Sequence, residues 1–482
     1  MAVLEGLKPE KVFYFFEKLC EIPHGSTNMK EISDYLVSFA KERNLKYYQD
    51  EAYNVVIYKE ASAGYENADP IIMQGHMDMV CEKEKGVEID FEKDGLDLYV
   101  DGDFLKARGT TLGGDDGIAV AYILAIMDSP EIAHPRLEAV ITVDEEIGML
   151  GAEVIDLSML KGHKMLNIDS DVEGHFLTSC AGGMTVDTVI PVTWQTQQGY
   201  SVGLTVTGLE GGHSGSEIDK EHANANILMG RVLKYFFDRM EMAIVSLAGG
   251  LKDNAIPRES EAEIVIPEEK KTEFLDYVSE LENIFKKEYA VSDPAVCIEV
   301  KENGAGEYDV LSYSSMTKVI FYLRNVPNGV QHMSMVMPGL VETSLNTGIM
   351  KLTKDALELT ASVRSSVSTR KEELKDKLEY LAEFLGGEIS VSGDYPAWEY
   401  RAESDIREGI SAVYEELFHE EPVFEAIHAG LECGILSGKI ADLDCVSFGP
   451  DNFDIHTPKE RLSISSTEKV WKLIVEFLKR CK

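Results

Sequence analysis

Apolar residues recur at helical spacing twice near the start of the chain. Val12, Phe15, Phe16 and Leu19 follow Pro9, a residue suited to opening a helix, and Ile32, Tyr35, Leu36 and Phe39 repeat the pattern. Both stretches predict amphipathic helices covering a core. Shorter apolar runs over Asn54 to Tyr58 and Pro70 to Met73 predict strands, Ile118 to Met127 predicts a buried helix, and Ala139 to Val143 and Met165 to Ile168 predict two more strands. Strands alternating with helices give an α/β sheet, in which polar groups just past the carboxyl ends of neighbouring strands converge on one crevice.

Near residue 187 the texture changes. Alternating strands at Val202 to Val206, Glu261 to Ile266 and Leu357 to Val363 are interleaved with charged amphipathic helices at Glu268 to Glu288 and Thr369 to Phe384. After SGDYPAWEYRAES the α/β texture resumes. The expected fold class is α/β: a discontinuous mixed-sheet domain of residues 1–187 and 395–482, with an inserted α+β lid over residues 188–394. His456 and His76 meet only if the first domain closes over that insertion.

A chain of 482 residues exceeds what one core usually supports, and 44% hydrophobic residues can fill two. The 46 basic and 85 acidic residues give a net charge of -39, which repels nucleic acid and anionic membranes. Seven widely spaced cysteines without a CxxC pair suggest neither a disulfide framework nor a zinc knuckle, and fit a reducing cytoplasm. The start of the chain lacks a signal-peptide pattern, and no apolar run is long enough to span a bilayer. No nucleic-acid or membrane partner is expected.

The polar residues at the predicted strand ends carry the chemistry. QGHMDMV places His76 two residues before Asp78, which suits a metal ligand and a carboxylate that orients its ring. Downstream stand Asp115 in LGGDDG, Glu145 and Glu146 in TVDEEIG, Asp169 in LNIDSD, and His456 in GPDNFDIHTP. Two histidines, a carboxylate able to bridge and further acids are what a pair of zinc ions about 3.5 to 4 Å apart requires. Adjacent glutamates extending a strand point to opposite faces, but a turn relaxes this, so that one can ligate and the other can act as general base.

GHMDMV, the glycine-flanked DDG, DEEIG, NIDSD, GGHSG and FGPDNFDIHTPKE resemble, in order and spacing, the co-catalytic zinc peptidases and aminoacylases. TTLGGDDGIAVA, VDEEIGMLGA, HAGLECG and DYPAWEY are most similar to the aminoacyl-histidine (Xaa-His, or cytosol non-specific) dipeptidases within that family. The resemblance implies two divalent ions, zinc or else manganese or cobalt. His76 and Asp169 would hold one, Glu146 and His456 the other, and Asp115 would bridge them. Asp115 rather than Asp116 follows from the family pattern of an acid closely followed by glycine. Asp78 would orient His76, and Glu145 would be the general base.

The same resemblance implies that His213, in GGHSG, stabilises the tetrahedral oxyanion and that Asn224 and Arg364 anchor the substrate carboxylate; His428 and Glu432 in HAGLECG either line the pocket or mark a glycine-containing helix start. It implies a dipeptidase for unblocked dipeptides, Xaa-His among them, in which a metal-bridging hydroxide attacks the carbonyl. The alternatives are an N-acyl-amino-acid amidohydrolase with the same metals and a non-catalytic metal- or peptide-binding protein; the presence of both Glu145 and Asp78 disfavours the last. In relatives with a single small lid the oxyanion histidine crosses a dimer interface. An insertion about twice that length, against lids of about 100 residues, leaves two arrangements open: His213 acting within its own chain, or across a homodimer.

Overall fold

The computed structural model describes residues 3–482. The chain divides into two compact units. The first contains the chain up to Ser179 together with Tyr400–Ala426 and Leu431–Lys482; the second contains Cys180–Glu399 and Ile427–Gly430. The boundaries expected at 187/188 and 394/395 move outward, because the strand Gly182–Pro191 pairs with Ala356–Ser365 on one side and Glu388–Tyr395 on the other. That strand is therefore built into the second unit. The short excursion Ile427–Gly430 has no counterpart in the sequence reading; the Ala181 N–H donates to the carbonyls of Ile427 and Ala429, both at 3.1 Å.

In the first unit the strands Leu137–Thr142, Ile71–His76, Lys164–Asn167 and Asp444–Ser447 run parallel in that spatial order. Val55–Lys59 and then Lys46–Gln49 add to one side in antiparallel fashion. Every residue of Ile71–His76 and Leu137–Thr142 is buried, as parallel strands covered on both faces require. The helix Gly114–Met127 is buried from Asp116 to its end. A helix that is apolar all round has no solvent face to offer. Helices Glu10–Cys20 and Lys30–Glu42 bury Val12, Phe15, Phe16 and Leu19, and Ile32, Leu36 and Phe39, as their spacing predicts.

The second unit is built around a nine-stranded sheet whose path contains one motif twice. The strand Trp194–Thr207, helix Ala225–Phe237, strands Ala243–Gly249 and Ser260–Ile266, helix Lys271–Glu288 and strand Cys297–Leu311 form a βαββαβ unit. Its strands lie in the order fourth, first, third, second, all antiparallel. Gly182–Pro191, helix Tyr313–Asn325, strands Val341–Leu352 and Ala356–Ser365, helix Ser368–Phe384 and strand Glu388–Tyr395 repeat the same order. The first copy is inserted into the second after its first strand. The two second strands join edge to edge, Ala248 opposite Lys351 and Gly249 opposite Met350, and so make one continuous sheet. Among the described residues no helix is long and apolar enough to cross a membrane.

Candidate active site

The carboxyl ends of the parallel strands carry the predicted ligands of the first unit. His76 is the last residue of its strand, Asp169 stands two residues past Asn167, and Glu145 and Glu146 follow Thr142 on a turn. That turn begins at Asp144, whose φ of 52° lies in the left-handed region; its carboxylate accepts the Thr27 N–H at 2.6 Å. The turn lets both glutamates face the crevice. His456, also left-handed at φ 60°, comes from the loop after the strand Asn452–Phe453.

Asp115 stands between the two imidazoles. Its Oδ1 is 3.1 Å from His76 Nε2 and its Oδ2 is 3.1 Å from His456 Nε2. Glu146 lies 3.0 Å from His456 Nε2, while Asp169 and Glu145 each lie 3.9 Å from His76 Nε2. Ligand atoms about 2.0 to 2.1 Å from a tetrahedral zinc are about 3.3 Å apart, which the separations of 3.0 and 3.1 Å approach and those of 3.9 Å exceed. Three sets bring their ligand atoms within 4.8 Å of one another: His76, Asp116 and Asp169; His76, Glu145 and Glu146; and Asp115, Glu146 and His456. Asp116 turns inward, where its Oδ2 accepts the backbone N–H of His76 at 3.1 Å.

The protonation balance fits a cation site. Burial, reinforced by the charges of Asp169 and Asp115, pushes the Asp116 carboxyl well up; burial with Asp115, Glu145 and Glu432 does the same to Asp169. Glu145 is pushed up to about 8 by burial against the counter-pull of His76, and burial also raises Glu146. His456, hydrogen-bonded to Asp115 and Glu146, is raised to about 10. Asp115 is the exception: burial works against its charge, but the two imidazoles hold its carboxyl down. Carboxylates buried in excess of cationic partners hold protons that divalent ions would displace.

The ring of His76 meets Asp78 mainly through the main chain. Nδ1 lies 3.0 Å from the Asp78 carbonyl oxygen and 3.4 Å from its carboxylate. The carboxylate accepts instead from the Ser26 hydroxyl at 2.9 Å and from the N–H groups of Glu145 at 3.0 Å and Glu146 at 3.3 Å. Glu460, which the sequence reading passed over within HTPKE, accepts the N–H groups of Leu112, Gly113, Gly114 and Asp115 at 2.7 to 3.4 Å and so fixes the loop bearing Asp115. Glu432 is fully buried, and its carboxylate accepts from the Gln74 side-chain amide and the Thr142 hydroxyl.

His213, Arg364 and His428 belong to the second unit. His213 Nδ1 accepts N–H groups from Gly215 at 3.2 Å and Ser216 at 3.1 Å, which puts the ring proton of the neutral imidazole on Nε2. Burial and then the Arg364 charge hold its pKa below the usual histidine value. A Cβ on Gly215 would stand 2.8 Å from the His428 carbonyl, so the His213 loop and the 427–430 segment are in close contact. His428 Nε2 pairs with the Ser344 hydroxyl at 2.7 Å, and burial with the Arg364 charge lowers its pKa to about 3. Arg364 Nη1 donates to the Tyr395 hydroxyl at 3.1 Å, and its buried Nε has no partner.

Asn224 differs from the expected carboxylate anchor. It caps the helix Ala225–Phe237, accepting from Asn226 and Ile227 N–H, and its amide donates to Asn328, Asn346 and Thr347. Its hydrogen-bonding capacity is used inside the fold. The HAN tripeptide before an apolar helix carries the N-cap signal that accounts for this.

The chain matches the description of peptidase family M20/M25/M40 over residues 72–480. It is 35% identical over 486 residues to the cytosol non-specific dipeptidase of Escherichia coli, covering 99% of each chain. Its structure is similar to that of the aminoacylhistidine dipeptidase from Vibrio alginolyticus, with a TM-score of 0.92, 34% identity, and coverage of 99% of this chain and 97% of that one. Similarity to the aminopeptidase PepT of Bacillus cereus, at a TM-score of 0.58 and 16% identity over 98% and 99% of the chains, extends to the fold alone. With a family match over most of its length and a relative of this identity along the whole of it, the chain belongs to peptidase family M20/M25/M40.

Proposed function

We propose that this protein is a dinuclear metallo-dipeptidase that hydrolyses unblocked dipeptides, Xaa-His among them. The observation that carries the proposal is the position of Asp115, with one oxygen 3.1 Å from each of two imidazoles and with Glu146 and Asp169 beside them. The names of the Escherichia coli and Vibrio alginolyticus relatives support the substrate class. The free cysteines and the cytosolic designation of the Escherichia coli relative support a cytoplasmic location.

In this reading His76 and Asp169 would hold one divalent ion, Glu146 and His456 the other, and Asp115 would be shared between them. Zinc suits the mixed nitrogen and oxygen donors, and manganese or cobalt can take the same ligands. Two such ions would supply a polarised scissile carbonyl and a water acidic enough to be deprotonated near neutral pH. Glu145, not needed as a ligand, would act as the general base, taking a proton from water and passing it to the leaving amine. The N–H groups of Glu145 and Glu146, bound to Asp78, hold the base on its turn. His213, with its proton on Nε2, is a neutral donor suited to the developing oxyanion. Arg364, with an unpartnered Nε, is the anchor proposed for the substrate carboxylate.

A panel of free and N-acetylated dipeptides, assayed with added zinc, manganese or cobalt, tests the reading. Turnover of the free dipeptides, lost on chelation and restored by metal, is expected. Preference for the N-acetylated compounds would establish an amidohydrolase instead.

A further inference from the structure

One fully buried carboxylate has no part in this scheme. Glu432 opens the helix Glu432–Lys439 and is 0% exposed. Its Oε2 accepts from the Gln74 side-chain amide and from the Thr142 hydroxyl at 2.6 Å. Gln74 in turn accepts, through its own Oε1, from the Asn167 amide. The chain Thr142, Glu432, Gln74, Asn167 therefore ties together three adjacent parallel strands. Gln74 is the register partner of Asn167, and Thr142 that of His76.

The placement of these partners is systematic. Gln74 and Asn167 each precede a proposed ligand by two residues, His76 and Asp169, and Thr142 precedes Glu145 by three. A carboxylate buried this deeply is costly unless donors and nearby positive charge compensate it, and here two donors converge on one oxygen while the other has no partner. Groups behind a metal's ligands fix the ligands' orientation, and their loss typically weakens binding.

We propose that Glu432 is a positioning residue of the metal centre, holding the ends of the His76, Glu145 and Asp169 strands in the arrangement that accepts two ions. The proposal rests on the dinuclear reading above. Its test uses the full-length protein stripped of metal and titrated with cobalt, following both affinity and the visible ligand-field bands. Glu432→Ala is expected to weaken binding about 10- to 100-fold, shift the cobalt bands, and lower kcat with little change in KM. Glu432→Gln, which keeps an oxygen for both donors, is expected to recover most of the affinity and the wild-type bands.

Wild-type protein that takes up no cobalt would overturn the dinuclear reading and this proposal with it. Two ions bound by the wild type, and bound equally tightly with the same spectrum by Glu432→Ala, would overturn the proposal alone. Should Glu432→Ala fail to fold, Gln74→Leu removes the link between Glu432 and Asn167. An unchanged cobalt spectrum and affinity in that variant would count against Glu432 in the same way.

Discussion

Asp78 Oδ1 accepts the backbone N–H of Glu145 at 3.0 Å, so the residue two positions after His76 also shapes the turn that presents the proposed base. Its second oxygen receives the Ser26 hydroxyl and the Glu146 N–H. Burial opposes the charge, but His76 and these donors keep the Asp78 carboxyl below its usual range. Asp78→Asn is therefore not a mild change: its amide N–H would face backbone N–H groups already pointing at it. We expect kcat/KM to fall about 10- to 100-fold, with the Glu145 turn becoming less ordered. Amide hydrogen exchange at Glu145 and Glu146 checks the second part; protection equal to wild type would leave Asp78 with the ring of His76 alone.

The adjacent glutamates should separate cleanly. Glu146 is 3.0 Å from His456 Nε2, whereas the Glu145 carboxylate stands 3.9 Å from His76 Nε2. Glu145→Gln is expected to keep two ions while losing about 100- to 10,000-fold in kcat, because an amide cannot accept a proton. Glu146→Gln should lose affinity for one ion first. Metal content measured beside turnover decides between them, and the reverse pattern would exchange their roles.

Much of this centre was legible because its residues stand at the ends of apolar runs, where a parallel sheet must place them. The buried helix after Asp115 was equally readable, since Ile118 to Met127 offers no polar face. What stayed hidden depends on partners far away in sequence. Nothing in HAGLECG says that Glu432 accepts a hydrogen bond from Gln74, 358 residues earlier, or that Ile427–Gly430 joins the second unit. The Asn224 cap was available from local signals but was outweighed by a resemblance. The repeated βαββαβ order lies in strand pairing, which short amphipathic segments do not encode individually.

The metal-free protein should lose stability as pH rises. Glu145 is pushed up to about 8, Glu432 to about 7 and His456 to about 10, so the folded chain retains protons that the unfolded chain gives up from about pH 4.5 or 6.5. Where the folded state binds more protons than the unfolded one, stability falls with pH. Asp115, held below its ordinary range, and His213 and His428, held below the usual histidine value, have the opposite sign, but only below about pH 6.5. Zinc takes deprotonated ligands, so its stabilising effect should grow from about pH 5.5 to about pH 8.5. Thermal unfolding with and without zinc at these pH values measures it. A zinc-induced shift in Tm that shrinks as pH rises would contradict the proposed ligand set.

The doubled motif bears on where His213 acts. Gly182–Pro191 and Glu388–Tyr395, the first and last strands of the enclosing copy, continue directly into the first unit at either end, whereas His213 belongs to the inserted copy. The two copies meet edge to edge through Ala248, Gly249, Met350 and Lys351. Two chains with one copy each would have to associate to build such a sheet, and here one polypeptide builds it alone. We propose that the inserted copy takes the place of a second chain's lid, so that His213 acts within its own chain. Mixing inactive His213→Ala chains with inactive Glu145→Gln chains tests this, once exchange of differently tagged subunits, or a purely monomeric state, has been established. If His213 acts within its chain, every molecule in the mixture still carries one disabling change and no activity returns. Recovery in mixed dimers, which pair an intact His213 from one chain with an intact Glu145 from the other, would show that it crosses between subunits.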